Sequence, residues 1–455
     1  MIQVNLFISS FKKYKKIIIN IILLFIFLNL LFLSHKILWY ILVDDTNAYT
    51  RTTLHELYTQ EENIDILFLG SSHCYRSLDT TITDNVFNTN TFNAGTSQQV
   101  YDGSYALLVE AGKHYDLKEV YVELYYDLAG TNYDERTQMT QTYIISDYMK
   151  PSFNRFRYLI NASNTEHWIN SFFPERRNWD KLFDGLYISD LFEKKNGAAY
   201  INFEYVENPE LNQYYRGKGF VANNDAVQNN NFFHDEHFEN AERGFSNDDM
   251  NALINIIKYC QKHQIKLVFF SAPMPDFRVL DTGDYDLYVQ QVNIFLAEYN
   301  IPYFDFNLCK ETYFSYDCSL FKDDEHLNTL GAEEFSRLFS EFFTGKISTD
   351  DLFYSSYSKK METVDNHFYG LIYHLESTDS VKTFTFEGVQ NRDFNYYVSI
   401  FKKPAETDNY EEIQVMENSI NHVSLPVNET GQLFIYIYSD KQGINMTNEI
   451  VLGYN

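Results

Sequence analysis

The sequence predicts a mixed α/β fold in which an open parallel sheet carries helices on both faces. An N-terminal transmembrane helix, a helical insertion and a C-terminal all-β, sandwich-like module complete the expected architecture. Three observations predict it. Short apolar runs alternate with helical stretches between residues 63 and 346, a long apolar segment lies near the N-terminus, and apolar and polar residues alternate from about residue 352. Strand–helix alternation with continuously apolar strands is typical of a parallel sheet buried on both faces.

The N-terminal segment has the composition of a membrane anchor. Residues 17–33 are almost entirely apolar, and "ILWYILV" follows closely, which together is long enough to cross a bilayer. Basic residues directly before the run predict a cytoplasmic N-terminus and an extracytoplasmic C-terminal domain. They are Lys12, Lys13, Lys15 and Lys16. A cleaved signal peptide is the alternative, but the bulky "LSHKILWY" offers no small-residue cleavage site.

These observations divide the chain into consecutive regions. The expected regions are a cytoplasmic basic segment (1–16), a single-pass anchor (17–43), a stalk (44–62), an α/β domain (63–346) and a β-rich accessory module (352–455). The strands of the sheet are expected at 65–70, 91–95, 119–128, 266–273 and 302–307, and the larger helices at 97–114, 247–264, 284–300 and 329–343. Residues 129–246 interrupt the alternation and are too long for a simple loop. Their short amphipathic pieces predict a mostly helical insertion.

Composition excludes some classes of protein. The net charge is −27, and phosphate binding needs clustered Lys and Arg, so apart from the basic N-terminal segment the composition argues against nucleic acid as a partner. Four cysteines in 455 residues do not make a disulfide scaffold. Cys309 and Cys318 are near enough in sequence to pair, although spacing alone does not establish a bridge. No CxxC motif occurs, so a zinc site of that type is excluded.

Two separate motifs suggest nucleophilic catalysis. The apolar run 65–70 ends in Gly70-Ser71-Ser72, and ligands of open parallel sheets bind beyond the carboxyl ends of the strands. A nucleophilic serine needs a base, and the base needs an orienting carboxylate. Asp323 and His326 supply this pair in a D-x-x-H motif directly before the last helix. Ser71 as nucleophile and His73 as base are the less favoured alternatives.

A tetrahedral intermediate also needs hydrogen-bond donors for its developing charge. The backbone N–H of Ser72 is one candidate. The N–H of Gly95, after the second strand, is the other, because glycine allows close approach of the backbone to a ligand.

With these residues, the chain resembles the SGNH (GDSL-type) hydrolases. Gly70-Ser71-Ser72 is similar to their Gly-Asp-Ser block, Gly95 to the glycine of their second block, and "DDEH" to their D-x-x-H block. The resemblance covers about residues 63–128 and 247–343. It implies a flavodoxin-like parallel sheet, Ser72 as nucleophile, Asp323 and His326 as its partners, and Ser72 and Gly95 as oxyanion donors. The third block departs from Gly-x-Asn-Asp, because Tyr126 and Asp127 stand where the third oxyanion donor is expected.

The Gly-Ser-Ser variant looks most like a membrane-linked branch that includes the teichoic acid D-alanyl transfer and alginate O-acetylation proteins. This resemblance implies a membrane-anchored serine esterase or O-acyltransferase without a cofactor or a metal. The expected partners are the lipid bilayer, a cell-envelope polysaccharide and a multispanning membrane protein that delivers the acyl group.

Other interpretations remain open from the sequence. A non-catalytic surface protein could bind glycan or an assembly partner through a degenerate domain of this type. His234 and His237 could begin the metal site of a metal-dependent hydrolase. The tyrosines of the β module could stack on sugars. An arginine- and tryptophan-containing group in the insertion could grip a glycan, and it comprises Arg155, Arg157, Arg176, Arg177, Trp168 and Trp179.

Overall fold

The computed structural model describes residues 2–46, 48–130, 139–207, 209–226, 232–233, 244–392, 394–418 and 422–454. The chain begins with helix α1 (Ile2–Leu42), whose stretch Tyr14–Leu42 is long and apolar enough to cross a membrane. Helix α2 (Tyr49–Thr59) follows. Its Leu54 and Leu57 are buried in the main core. Residues 44–62 therefore include a helix of the folded domain and do not form the expected stalk, because their apolar side chains find a partner surface.

The first half of the α/β domain alternates strands and helices as the sequence predicts. Its elements are β1 (Ile66–Leu69), α3 (Ser72–Ser77), α4 (Thr80–Phe87), β2 (Thr91–Asn93), α5 (Tyr101–His114) and β3 (Glu119–Glu123). The insertion follows, with α6 (Thr140–Ser146), α7 (Phe153–Asn161), α8 (Trp168–Phe172), a 3-10 helix (Pro174–Lys181), α9 (Gly185–Asn196), α10 (Ala198–Ile201), β4 (Gln213–Gly217), β5 (Phe220–Asn223) and β6 (Phe232–Phe233). The insertion is thus helical in its first part, and a β-hairpin (β4–β5) that the sequence analysis missed follows.

The second half of the domain restores the alternation. Its elements are α11 (Asn247–His263), β7 (Lys266–Ser271), α12 (Asp276–Asp281), α13 (Tyr285–Ala297), β8 (Tyr303–Asp305) and α14 (Thr329–Phe343). The five strands pair in parallel in the order β2-β1-β3-β7-β8, which confirms the parallel sheet. Leu67 and Leu69 of β1 face one apolar core, and Phe68 faces a second core on the other side. Both faces are covered because successive side chains of a strand point to opposite sides.

The C-terminal region is an all-β module joined to the α/β domain by two short helices. It comprises α15 (Thr349–Leu352), α16 (Tyr357–Thr363), β9 (Phe368–Ser377), β10 (Val381–Gln390), β11 (Tyr397–Pro404), β12 (Glu411–Glu417), β13 (Val423–Pro426), β14 (Gly431–Tyr438) and β15 (Met446–Tyr454). Strands β9–β15 form two antiparallel sheets that share one apolar core, as the alternating pattern predicts. β6 of the insertion adds to the first sheet by parallel pairing with β9, a contact that no local pattern indicates.

Candidate active site

The two serines after β1 have different surroundings. Ser71 is buried, and its N–H and Oγ–H both donate to Oε2 of Glu123, at 2.8 and 2.9 Å. Its Oγ also accepts from the His73 N–H as the N-cap of α3. Ser72 begins α3, and its Oγ lies 2.7 Å from Nε2 of His326. Ser71 is therefore held in a structural role, and the hydroxyl of Ser72 is hydrogen-bonded to the candidate base, His326.

His326 and Asp323 lie on a loop that the backbone closes on itself. Phe321 and Leu327 form an antiparallel bridge across this loop, and the Lys322 N–H donates to the His326 carbonyl at 2.8 Å. Nδ1 of His326 lies 2.9 Å from Oδ1 of Asp323, which also accepts from the backbone N–H of His326 at 2.8 Å. The D-x-x-H spacing thus lets a single turn join the carboxylate to both the ring and the backbone of the histidine.

The charge of Asp323 is stabilised where it faces His326. Burial by itself would raise the pKa of Asp323, but the hydrogen bonds and charges of His326 and Lys322 outweigh burial and hold this pKa well below its usual range. Nζ of Lys322 lies 2.6 Å from Oδ2 of Asp323. An ionised Asp323 keeps a proton on Nδ1 of His326, which leaves Nε2 able to accept the proton of Ser72.

The close approach at Gly70 explains why glycine precedes the serines. A Cβ at Gly70 would lie 2.6 Å from Cβ of Glu123 and 2.9 Å from Cβ of Cys74. The turn from β1 into α3 therefore packs directly against the end of β3, and a side chain at Gly70 would displace Ser71 and Ser72.

His73 stacks on the candidate base and does not contact the Ser72 hydroxyl by any hydrogen bond found among the described residues. Its ring centroid lies 4.6 Å from that of His326 and 4.0 Å from that of Tyr125. Burial, followed by the charge of His326, holds the pKa of His73 well below its usual value. His73 is therefore a neutral ring that packs against His326, and the structure gives no support to His73 as the base.

The two backbone N–H groups expected to donate to an oxyanion differ in whether they already have an acceptor. The N–H of Ser72 belongs to the first turn of α3, where N–H groups have no intrahelical acceptor. The N–H of Gly95 instead donates to Oδ1 of Asn93 at 3.1 Å. The second expected donor is thus engaged within its own turn, because Asn93 at the end of β2 folds back over Gly95. The side-chain amide of Asn93 also donates to the Cys74 carbonyl at 2.9 Å and so ties β2 to α3.

A partly buried cation lies near Tyr126, where the sequence resemblance places the third block. Arg278 of α12 donates to Glu325 at 2.6 Å, and its Cζ lies 5.8 Å from the ring centroid of Tyr126. Glu325 directly precedes His326, so this ion pair joins α12 to the D-x-x-H loop. Sequence reasoning missed Arg278, Glu325, Glu123 and Asn93. The signal available for the last two is a polar residue at the carboxyl end of a strand whose preceding residues are buried.

The arrangement favours proton transfer over metal binding. His73, Glu325 and His326 offer ligand atoms within 4.8 Å of one another. Both ring nitrogens of His326 are hydrogen-bonded, however, and Glu325 is paired with Arg278. His234 and His237, the histidines of the alternative metal site, lie outside the described residues. All four cysteines are free, including Cys309 and Cys318, so the possible bridge between these two does not form.

Comparison with known proteins adds little to this geometry. No protein-family model and no curated protein matches the chain. Similar solved structures include β-glucosidase 3B from Thermotoga neapolitana in complex with α-D-glucose, with 10% identity and a TM-score of 0.12, covering 86% of this chain and 75% of that chain. The complex of the same enzyme with glycerol has 11% identity and a TM-score of 0.11, over 87% and 75% of the two chains. A likeness at this level supports no inference on fold or function.

Proposed function

We propose that this protein is a membrane-anchored, extracytoplasmic serine esterase or O-acyltransferase of the SGNH type. The observation that carries the proposal is the continuous hydrogen-bonded series from Ser72 Oγ to His326 Nε2 (2.7 Å) and from His326 Nδ1 to Asp323 Oδ1 (2.9 Å). The series lies beyond the carboxyl end of β1, where open parallel sheets bind ligands. Its three members come from the motifs by which the sequence resembles the SGNH hydrolases.

The chemistry follows from the arrangement. As Ser72 Oγ attacks an acyl carbonyl, Nε2 of His326 takes its proton, and Asp323 stabilises the imidazolium that forms. The Ser72 N–H donates to the developing oxyanion. The intermediate then expels the alcohol, which takes the proton from His326, and an acyl group remains on Ser72. Water or a sugar hydroxyl next attacks this acyl-enzyme, with His326 again accepting and returning a proton.

The proposed substrates are acyl esters of a cell-envelope polysaccharide. The apolar segment Tyr14–Leu42 supports single-pass anchoring with the α/β domain outside the cell. Transfer to a sugar would use an acyl group delivered across the membrane by a multispanning protein. The resemblance to the membrane-linked branch of the family is the basis for both the polymer and this partner.

The test of the proposed mechanism compares the two adjacent serines in the full-length protein. We expect a fluorophosphonate probe to label the wild type and Ser71→Ala, but not Ser72→Ala. Hydrolysis of p-nitrophenyl acetate should fall by about 10³-fold or more in Ser72→Ala and His326→Ala, and somewhat less in Asp323→Asn. Labelling that persists in Ser72→Ala and disappears in Ser71→Ala would reverse the assignment. Thermal unfolding of each variant separates loss of the nucleophile from loss of the fold.

A second candidate function has one observation in its favour. The Gly95 N–H is bonded to Asn93, and Tyr126 replaces the usual third donor. Fewer free donors would stabilise an oxyanion less well, which favours a domain that binds glycan or an assembly partner without catalysis. A folded wild type that is neither labelled nor active, yet binds envelope polysaccharide in a pull-down assay, would support this alternative.

A further inference from the structure

The insertion exposes large apolar side chains beside the end of α1. Phe183 is 95% exposed, Leu186 87%, Trp179 54%, Phe192 54% and Phe173 40%. We call these five residues the apolar corner. Exposure of several such side chains in one short segment is unusual for a soluble surface and marks an interaction site.

Hydrogen bonds fix the segment that carries the apolar corner to the last turn of α1. The side chains of Asn178 and Tyr187 both donate to the carbonyl of Leu42, at 2.7 and 2.9 Å. The fully buried side chain of Lys195 donates to the Val43 carbonyl at 2.5 Å and lies 3.0 Å from Asp45. The terminal carbonyls of α1, which have no acceptor role within the helix, are thus occupied by the insertion.

Further contacts lie closer to the apolar run of α1. Nδ1 of His35 is 2.9 Å from Oε1 of Glu175, and the His35 ring lies 6.0 Å from that of Phe173. The ring of Phe192 lies 5.8 Å from that of Tyr40. The insertion therefore packs along about two turns of α1, and two members of the apolar corner contact the helix directly.

The position of these contacts along α1 sets their depth in a bilayer. A hydrocarbon core of about 30 Å needs about 20 helical residues, so a core that begins near Ile17 ends close to His35 and Lys36. Leu42 then lies about 10 Å beyond this boundary at about 1.5 Å per residue, which is the headgroup region. Phe173 contacts the boundary, and Trp179, Phe183 and Leu186 belong to the segment bonded to Leu42.

We infer that the apolar corner inserts into the outer-leaflet interface of the same bilayer that α1 crosses. The partner is membrane lipid, and the inference rests on the anchoring part of the proposed function. The indole ring of Trp179 favours this depth because its apolar body leaves water while its N–H stays near the headgroups. The three Phe side chains and Leu186 gain by leaving water at the headgroup–acyl boundary. The α/β domain is then held at two places, and its site has a fixed height above the membrane.

The charge of the segment fits a lipid surface. Between residues 173 and 196, five basic and five acidic side chains balance, in a chain with a net charge of −27. The guanidinium of Arg176 lies 5.3 Å from the Trp179 ring centroid. The apolar corner therefore avoids the repulsion that the rest of the domain would meet at an anionic membrane.

The test uses tryptophan fluorescence in the full-length chain, which has three tryptophans. The variant Trp39→Phe/Trp168→Phe keeps only Trp179 and is reconstituted into vesicles of phosphatidylcholine, with or without bromine near the glycerol end of the acyl chains. We expect bromine to reduce the emission of Trp179 by about twofold or more, as for an interfacial ring. Bromine near the methyl end should quench less.

Two control variants make the result decisive. Trp168→Phe/Trp179→Phe keeps Trp39 near the end of α1 and reports insertion of the anchor itself. Ile444→Trp, without the native tryptophans, reports an exposed apolar position of the β module, 77% accessible, and should not be quenched. A chain with Phe183→Trp in the same background should behave like Trp179.

Each remaining outcome overturns the inference. Quenching of Trp39 without quenching of Trp179 would show that the anchor is inserted in the bilayer and that lipid does not cover the apolar corner. A blue-shifted Trp179 emission would then mean that protein and not lipid covers the ring, and a red-shifted emission would mean that water surrounds it. Equal quenching at Ile444→Trp would mean unspecific adsorption. Quenching at neither Trp39 nor Trp179 would overturn the anchor together with the inference.

Discussion

At the scale of residues, Ser71 and Ser72 have opposite roles because of one buried carboxylate. Glu123 accepts both hydrogen bonds of Ser71 and so fixes the start of α3. The hydroxyl of Ser72 is hydrogen-bonded to His326 instead. Two identical side chains in sequence thus have different partners, a buried carboxylate for Ser71 and a histidine ring for Ser72.

Glu123 should make stability depend on pH. Burial raises the pKa of Glu123 to about 7 from its ordinary 4.5, although the Ser71 hydrogen bonds act in the opposite direction. Between these two values the folded state holds a proton that the unfolded state has lost. The free energy of unfolding should therefore fall as the pH rises through this window, by about 3 kcal/mol at most, and level off above it.

The variant Glu123→Gln tests this expectation, since a glutamine carbonyl can still accept from Ser71 but does not titrate. Thermal unfolding in detergent between about pH 5 and about pH 8 should show a smaller decline in the variant than in the wild type. Glu119→Gln, at the start of the same strand, is the matched control and should keep the wild-type decline. An unchanged pH dependence in Glu123→Gln would contradict the assignment.

At the scale of elements, the site depends on how α14 packs against the loop that carries Asp323 and His326. A Cβ at Gly331, in the first turn of α14, would lie 2.1 Å from the carbonyl oxygen of Leu320. The Asn328 side chain caps α14 by accepting from the Gly331 N–H at 3.0 Å. The helix start and the loop therefore share one closely packed contact.

Gly331→Ala should move the loop and reduce activity. The added methyl group must displace the Leu320 carbonyl by about 1 Å, and a misplacement of that size can lower the rate of a reaction by about 100-fold. We expect ester turnover to fall strongly while the protein remains folded. Gly453→Ala, where a Cβ would meet no atom within 4 Å, should leave turnover unchanged. Equal turnover in both variants would show that the loop tolerates the shift.

At the scale of the whole molecule, a buried lysine fixes the α/β domain to the helix that leads into the β module. Lys360 of α16, with 0% exposure, donates to Oδ1 of Asp276 at 2.7 Å and to the Asn307 carbonyl at 3.1 Å. Asp276 begins α12, which also carries Arg278 and its ion pair with Glu325. The connection to the β module therefore shares an element with the candidate active site.

Lys360→Met should destabilise the protein by about 3 kcal/mol or more, because it leaves the Asp276 carboxylate buried without its cation. Lys359→Met is the matched control. Lys359 is exposed and pairs only with the exposed Glu362 among the contacts of the described residues, so its replacement should cost about 0.5 kcal/mol or less. Denaturant unfolding of the two variants measures the difference, and similar values would argue against a structural role for the buried pair.

Local sequence patterns determined a large part of the fold of this protein. The apolar runs at Ile66–Leu69 and Lys266–Ser271 become strands of the parallel sheet, and the alternation after residue 352 becomes two antiparallel sheets. The pairing of Ser72 with His326 and Asp323 could be anticipated because both motifs lie at positions that the topology brings to one edge. These features depend on chain order and on residues close in sequence, which a sequence displays directly.

Only the tertiary structure decided which groups complete the site and where the insertion lies. Three contacts depend on the side-chain conformations within the packed site. They are the hydrogen bond between Gly95 and Asn93, the hydrogen bond between Ser71 and Glu123, and the stacking of His73 on His326. The hydrogen bond from Tyr187 to Leu42 joins residues 145 positions apart. A hydrogen bond acts only over a few ångströms, so its partner is set by the packing of distant segments and not by the pattern around either residue.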